Sequence, residues 1–172
     1  MIRKVCSTDA KEIAAIYNEY VRHSVITFET EPVTEAEMAS RIASISSRYP
    51  FLVYEMEDKV VGYCYAHAWK ERAAYRHTLE TTVYLSPAVV GRGIGTLLMK
   101  NLIEECRLAE YRALIACITE GNSESMALHK KLGFKQVSCF EKVGFKFGRW
   151  LNVIDYELLL HQTAANSLIS TP

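Results

Sequence analysis

The run Val83-Tyr-Leu-Ser-Pro-Ala-Val-Val-Gly91-Arg92-Gly93-Ile94-Gly95-Thr96 reads as a strand, a loop and the start of a helix. Three closely spaced glycines let a backbone approach a ligand and take up positive φ. The unpaired N–H groups of the helix that follows would then face that ligand, and the helix dipole favours an anion there. Arg92 adds a mobile positive charge. The chemistry this suggests is a phosphate or pyrophosphate cradle; the plainer alternative is a glycine-rich connection that binds nothing. The spacing is neither GxxxxGK[ST] nor GxGxxG after a first strand, which disfavours a nucleotide-hydrolysing loop and a dinucleotide fold.

Two titratable residues flank this turn. Glu80 lies in Leu79-Glu80-Thr81-Thr82-Val83-Tyr84. If Leu79, Thr81 and Val83 face one side of a strand, then Glu80, Thr82 and Tyr84 face the other. A carboxylate half-buried on a strand is costly without a partner, so Glu80 is either a solvated edge residue or a functional base. His129 sits on a short amphipathic segment, where it is either a packed histidine or a proton carrier near neutrality. Upstream, Lys70 and Arg72 stand two apart, followed by Tyr75, Arg76 and His77. Arginine can grip a carboxylate or phosphinate through two parallel hydrogen bonds. Trp69 and Phe28 are candidates to wall a side-chain pocket. A solvated basic loop is the alternative for this stretch.

The elements that must position these residues are readable from periodicity. IRKV (2–5) predicts a short strand. Asp9-Ala-Lys-Glu12 resembles an N-cap with an acidic third position, followed by Ile13, Ile16, Tyr17, Tyr20 and Val21 at helical spacing. Thr34-Glu-Ala-Glu37 is a second capping box, opening a helix with Met38, Ile42 and Ile45 on one face. FLVYEM (51–56) and VVGYCYAHAW (60–69) around a three-residue polar turn predict an antiparallel hairpin. A strand over 77–86, a helix over about 94–110, a buried strand over 113–119, a helix over 123–132 and closing strands QVSCFEKV and RWLNVIDYELLL complete the order β-α-α-β-β-β-α-β-α-β-β. Strands on both sides of helices in so short a chain predict an α+β fold with a mixed sheet covered on both faces. The expected organisation is one domain over 1–160, with 161–172 as a frayed tail.

Composition bounds the function. The 172 residues suit one core, with 49% hydrophobic and 23% charged residues, the balance of a globular chain. Twenty basic residues cancel twenty acidic ones. A general nucleic-acid binder needs a basic excess, so no nucleic-acid partner is expected. No apolar run is long enough to span a membrane, and MIRKVCSTDAKEI turns polar too early for a secretory signal. Five scattered cysteines without a CxxC pair argue against zinc, so no metal is expected, and they suit reduced thiols in the cytoplasm.

The glycine turn resembles the acetyl-CoA pyrophosphate loop of the GNAT N-acetyltransferases, whose pattern is (Gln/Arg)-x-x-Gly-x-(Gly/Ala). Asn122-Ser-Glu-Ser125-Met-Ala-Leu-His129-Lys-Lys-Leu-Gly133-Phe134 resembles that superfamily's N-x-x-(A/S)…K-x-G-F helix, at the required distance of some thirty residues. Val90 departs from the loop pattern, since Gln or Arg is usual there. Over about residues 2–160, ITFETEP (26–32), RYPFLV (48–53), WKERAAYRHTLETTVYLS (69–86) and VGFKFGRWLNV (143–153) are similar to the phosphinothricin acetyltransferase branch, which includes enzymes for methionine sulfoximine and methionine sulfone.

The resemblance implies a GNAT fold whose strand over 81–85 splays from its neighbour. Its exposed amides, through the main chain of Val83, Tyr84 and Leu85, would bind the pantetheine arm and stabilise an oxyanion. Gly91, Arg92, Gly93, Ile94, Gly95 and Thr96 would hold the pyrophosphate, with Asn122 and Ser125 near the arm. Glu80 would be the general base and His129 a relay or acid toward the departing sulfur. Phe28, Trp69, Lys70, Arg72 and Tyr75 would bind the acceptor. The implied reaction is direct acetyl transfer from acetyl-CoA to the α-amine of a small amino acid analogue, in a homodimer. Lys146, Arg149 and Trp150 would either shape the site across the dimer interface or simply close a hairpin. Another amine acceptor, or a non-catalytic acyl-CoA sensor, are the alternatives.

Overall fold

A computed structural model describes residues 1–160; the expectation of a frayed tail at 161–172 lies outside them. The elements run β1 (Ile2–Lys4), α1 (Ala10–His23), α2 (Glu35–Ser46), β2 (Phe51–Met56), β3 (Lys59–Ala68), β4 (Thr78–Leu85), α3 (Ile94–Leu108), β5 (Ala113–Thr119), α4 (Ser123–Lys131), β6 (Lys135–Gln136), β7 (Phe140–Lys146) and β8 (Arg149–Leu159). They form one mixed sheet in the order β1-β2-β3-β4-β5-β8-β6, with β7 also on β8. β4 and β5 are parallel; the other pairs are antiparallel.

Alternation along the strands divides the core. Phe51, Val53 and Tyr63 pack under α1 and α2 with Ile13, Val21 and Ile42. Leu52, Cys64 and Ala66 face the opposite way, against Leu98, Met99 and Leu102 of α3. Consecutive residues feeding opposite cores is what a sheet covered on both faces requires.

Local chemistry accounts for the element ends. The β2–β3 turn has positive φ at Glu57 (53°) and Asp58 (58°), the twist-matched two-residue turn of an antiparallel hairpin. Thr34 accepts from the Glu37 N–H at 3.2 Å while the Glu37 carboxylate accepts from the Thr34 N–H at 2.7 Å, so the box at α2 forms as read. The cap expected at Asp9 does not. Its carboxylate turns back to accept from the Cys6 N–H at 2.8 Å and from both guanidinium nitrogens of Arg3 at 2.8 and 2.9 Å, a charge-assisted fork that outcompetes a cap. Glu12 is also engaged elsewhere, accepting from the Val60 N–H at 2.7 Å. The single strand expected over QVSCFEKV is two, β6 and β7, with a register break between Phe140 and Gly144.

Candidate functional site

β4 and β5 pair over three residues only, Thr78 with Ala113, Leu79 with Leu114 and Glu80 with Ile115. Beyond Glu80 the strands part, although β4 continues to Leu85 and β5 to Thr119. The wedge between them opens into a cavity of about 740 Å³. Thr81 to Leu85 line one wall, Ala116 to Thr119 the other, and the glycine turn with the start of α4 closes the far end. Parting parallel strands leaves main-chain amides without ladder partners, and an extended ligand with amides of its own satisfies them.

At the far end Gly91 (φ 80°) and Gly93 (φ 81°) are both left-handed, a region L-residues seldom enter. Among the described residues the N–H groups of Gly93, Ile94, Gly95 and Thr96 have no hydrogen-bond acceptor; the first α3 bond is from the Leu97 N–H to the Gly93 carbonyl. These are the orphan donors of a helix start, aimed with its dipole at one spot. A diphosphate fits that donor set. Gly91, Gly93, Gly95 and Thr96 line the cavity, as does Val90, whereas Ile94 turns into the core and Arg92 is exposed outside the lining. The cradle is therefore built of main chain, and Val90 subtracts nothing from its amides. Asn122 lines the cavity while its Oδ1 caps α4, accepting from the Ser125 N–H at 3.2 Å.

Glu80 lies at the apex, where the strands separate. Burial raises its carboxyl above the ordinary glutamate range, against the pull of His67 and of the Cys117 thiol. His67 stands opposite on β3, Nε2 at 3.9 Å from Oε1. Cys117 faces Glu80 from β5 and is paired in register with Asp155 on β8. Cys117 is exposed at the cavity wall, where local desolvation and the two carboxylates raise its thiol above the ordinary value, so this sulfur lines the cavity as S–H.

His129 also lines the cavity. Its Nδ1 is 2.8 Å from the Ser125 carbonyl, which can only accept, so Nδ1 carries the hydrogen. Nε2 is then a lone pair, buried and without a partner among the described residues, with the ring edge-on to Phe134. Burial lowers its pKa and holds it neutral.

The acceptor side is less unified. Phe28 lines the cavity, with Ile26 and Thr27 from the same loop. Trp69, Lys70 and Tyr75 form a separate cluster, Trp69 edge-on to Tyr75 at 5.3 Å and Lys70 Nζ 4.0 Å from the Trp69 ring centre. This cluster and the exposed Arg72 stand outside the residues lining the cavity. Lys146, read as part of an interface or hairpin, is buried within its own chain and donates to the Thr27 carbonyl at 2.8 Å. Thr27 Oγ1 is also 2.7 Å from Tyr17 OH. Gly144 on the same strand leaves room for Phe28: a Cβ there would come within 2.2 Å of the ring. His67, Cys117, Thr27 and Gly144 were missed in the sequence, because only register and a contact across 119 residues bring them here. The alternation that singled out Glu80, extended to the paired strand, would have found His67.

The acetyltransferase (GNAT) domain family matches residues 2–154. A phosphinothricin N-acetyltransferase of Alcaligenes faecalis is 40% identical over 155 residues, 89% of this chain and 79% of that one. An L-methionine sulfoximine/L-methionine sulfone acetyltransferase of Salmonella typhimurium is 35% identical over 165 residues, 95% of this chain and 96% of that one. The crystal structure of a GNAT superfamily phosphinothricin acetyltransferase from Sinorhizobium meliloti in complex with AcCoA superposes with a TM-score of 0.91 at 38% identity, covering 96% of this chain and 91% of that chain. A parted strand pair, an amide-lined cradle and this agreement over nearly the whole chain have one meaning: the chain belongs to the GNAT family and is an acetyltransferase.

Proposed function

We propose that this enzyme transfers acetyl from acetyl-CoA to the α-amine of a small amino acid analogue of the phosphinothricin, methionine sulfone or methionine sulfoximine type. The single observation that carries the reading is the wedge itself, with a carboxylate at its apex and an amide cradle at its mouth. The relatives named above act on these acceptors by their names. Val83, Tyr84 and Leu85 hold the pantetheine arm through main chain, and an amide of this strand stabilises the developing oxyanion. Gly91, Gly93, Gly95 and Thr96 hold the diphosphate, and Arg92 screens it from outside.

An α-ammonium is mostly protonated at neutral pH and must lose a proton before it attacks a thioester. Glu80 accepts that proton; its raised carboxyl is better matched to an amine than an ordinary glutamate. No covalent acyl-enzyme is required, so attack is direct in a ternary complex, a route that the raised thiol of Cys117 supports. His129, with its free lone pair at Nε2, relays a proton toward the leaving sulfur after first accepting one. Phe28 walls the side chain of the acceptor, and the Trp69–Tyr75 segment with Lys70 and Arg72 closes over its acidic groups.

The β7–β8 hairpin exposes Phe145, Phe147 and Trp150 at 56–62%. A two-stranded ribbon is marginal in water without apolar cover. The cover proposed is a second copy of the chain, and Trp150→Lys should shift sedimentation from dimer to monomer. Five unpaired thiols suit the cytoplasm.

Free-thiol release measured with phosphinothricin, methionine sulfone, methionine sulfoximine, the common amino acids and a polyamine tests the reading. Higher kcat/KM for the analogues is expected. No release with any of them rejects the acceptor class, and a preference for polyamines favours the alternative amine.

A further inference from the structure

Glu80 must discard the proton it takes before the next turnover, and its carboxylate, 28% exposed, lines the cavity that acceptor and cofactor would fill. Three side chains face it from the neighbouring strands: His67 from β3, Cys117 from β5 and Asp155 from β8. The thiol is held protonated and has no room for another proton. A carboxylate is a poor proton carrier near neutrality. The imidazole is suited by type and by place. It is the register partner of Glu80 on the same face of the sheet, yet it does not line the cavity. Its side chain is 35% exposed, so the ring reaches solvent as well as the base.

The ring's hydrogen bonds fix how it is loaded. Nδ1 lies 3.0 Å from the Ala68 carbonyl, which can only accept, so Nδ1 bears a hydrogen. In the neutral ring Nε2 is therefore a lone pair turned toward Oε1 at 3.9 Å. Lone pair facing carboxylate is an incomplete contact until one proton sits between them. The proton removed from the acceptor completes it. A small rotation of either side chain closes the remaining gap.

We propose that His67 carries the acceptor's proton from Glu80 to solvent. This rests on Glu80 being the base. The ammonium gives H⁺ to the Glu80 carboxylate, leaving a neutral amine and a carboxylic acid. The acid passes that H⁺ to Nε2, restoring the carboxylate and forming an imidazolium. The imidazolium then releases that H⁺ from Nε2 to water as the ring swings away from the carboxylate, so Nδ1 keeps its hydrogen and neither residue changes overall.

The test uses His67→Ala and His67→Gln with acetyl-CoA and methionine sulfone, or the best acceptor of the panel above, at pH 7 in dilute buffer. kcat is expected to fall about tenfold, a fraction of what loss of a general base costs. The KM for acetyl-CoA should not change, and added imidazole should restore kcat in proportion to its concentration. Recovery by imidazole separates a proton carrier from a structural residue. Wild-type kcat in both variants, or a loss that imidazole does not restore, overturns the proposal. Glu80→Gln is run beside them. If it keeps wild-type turnover, the base reading itself fails; if it is slow while both His67 variants are not, only the relay fails.

Discussion

The two ends of the cavity are made of different material. The mouth is main chain: left-handed glycines, the orphan amides of α3 and a strand stripped of its neighbour. The apex and the wall proposed for the acceptor are side chains drawn from β3, β4, β5, β7 and the loop over 24–33. A main-chain site constrains conformation and leaves most side chains free, which is why Val90 is tolerated at a position where the family pattern has Gln or Arg. A side-chain site constrains identity. Chemistry and acceptor choice are therefore expected to respond to single atoms, and cofactor binding to dihedral angles.

The largest effect belongs to the apex. Glu80→Gln preserves shape and removes the proposed base. kcat should drop about 10²–10⁴-fold, the range of general-base catalysis, with the calorimetric Kd for acetyl-CoA unchanged. A proportional loss of cofactor affinity would break the division between the two ends.

The mouth is tested through geometry alone. A Cβ at Gly93 meets nothing within 4 Å, so a substitution there acts only through φ. A β-branched residue in the left-handed region costs on the order of 1–3 kcal/mol. Gly93→Val should weaken acetyl-CoA binding about tenfold, the equivalent of 1.4 kcal/mol, while Gly93→Asn should do less because Asn tolerates this region. Equal effects from the two would mean that the side chain, and not the dihedral, is being read.

The acceptor wall hangs on Lys146. Lys146→Met deletes the donor to the Thr27 carbonyl and leaves a buried acceptor unpaired, at about 1–3 kcal/mol. Thr27 and Phe28 should loosen together. The expected signature is a KM for the acceptor raised about fivefold or more with the KM for acetyl-CoA unchanged, since a lost 1 kcal/mol already equals about fivefold. A rise in both would show that the lysine holds the fold and not the wall.

The same division explains what could be read in the sequence. The glycine turn and the Asn122 helix are local patterns, each within fifteen residues, and they were legible; the splay of β4 from β5 was implied only by the resemblance. So were the turn at Glu57–Asp58 and the box at Thr34, where one short segment contains both partners. Asp9 misled because a local motif lost to Arg3, a partner six residues back that no capping pattern includes. Lys146 was singled out for an interface or a hairpin, and its partner within the chain stayed hidden because it is 119 residues away. His67 could be found only by carrying the alternation of β4 across to its partner strand β3, where it stands in register with Glu80.

The smallest effect sharpens the contrast by turning on stability. The folded chain raises the Glu80 carboxyl above its ordinary value of 4.5, burial being the main cause. A carboxyl raised on folding adds stability that is fully present below its unfolded pKa and is lost as pH rises through the folded one. The ionised base therefore burdens the fold at the pH where it works. Glu80→Gln carries no such burden. Its Tm should match the wild type near pH 4 and exceed it by a few degrees near pH 8, at about 2–4 °C per kcal/mol for a chain of this size. Calorimetry at the two pH values decides it: a gap that is equal at both, or reversed, would mean that His67 and Cys117 compensate the buried charge fully, and that the apex is not a place where stability is given up for catalysis.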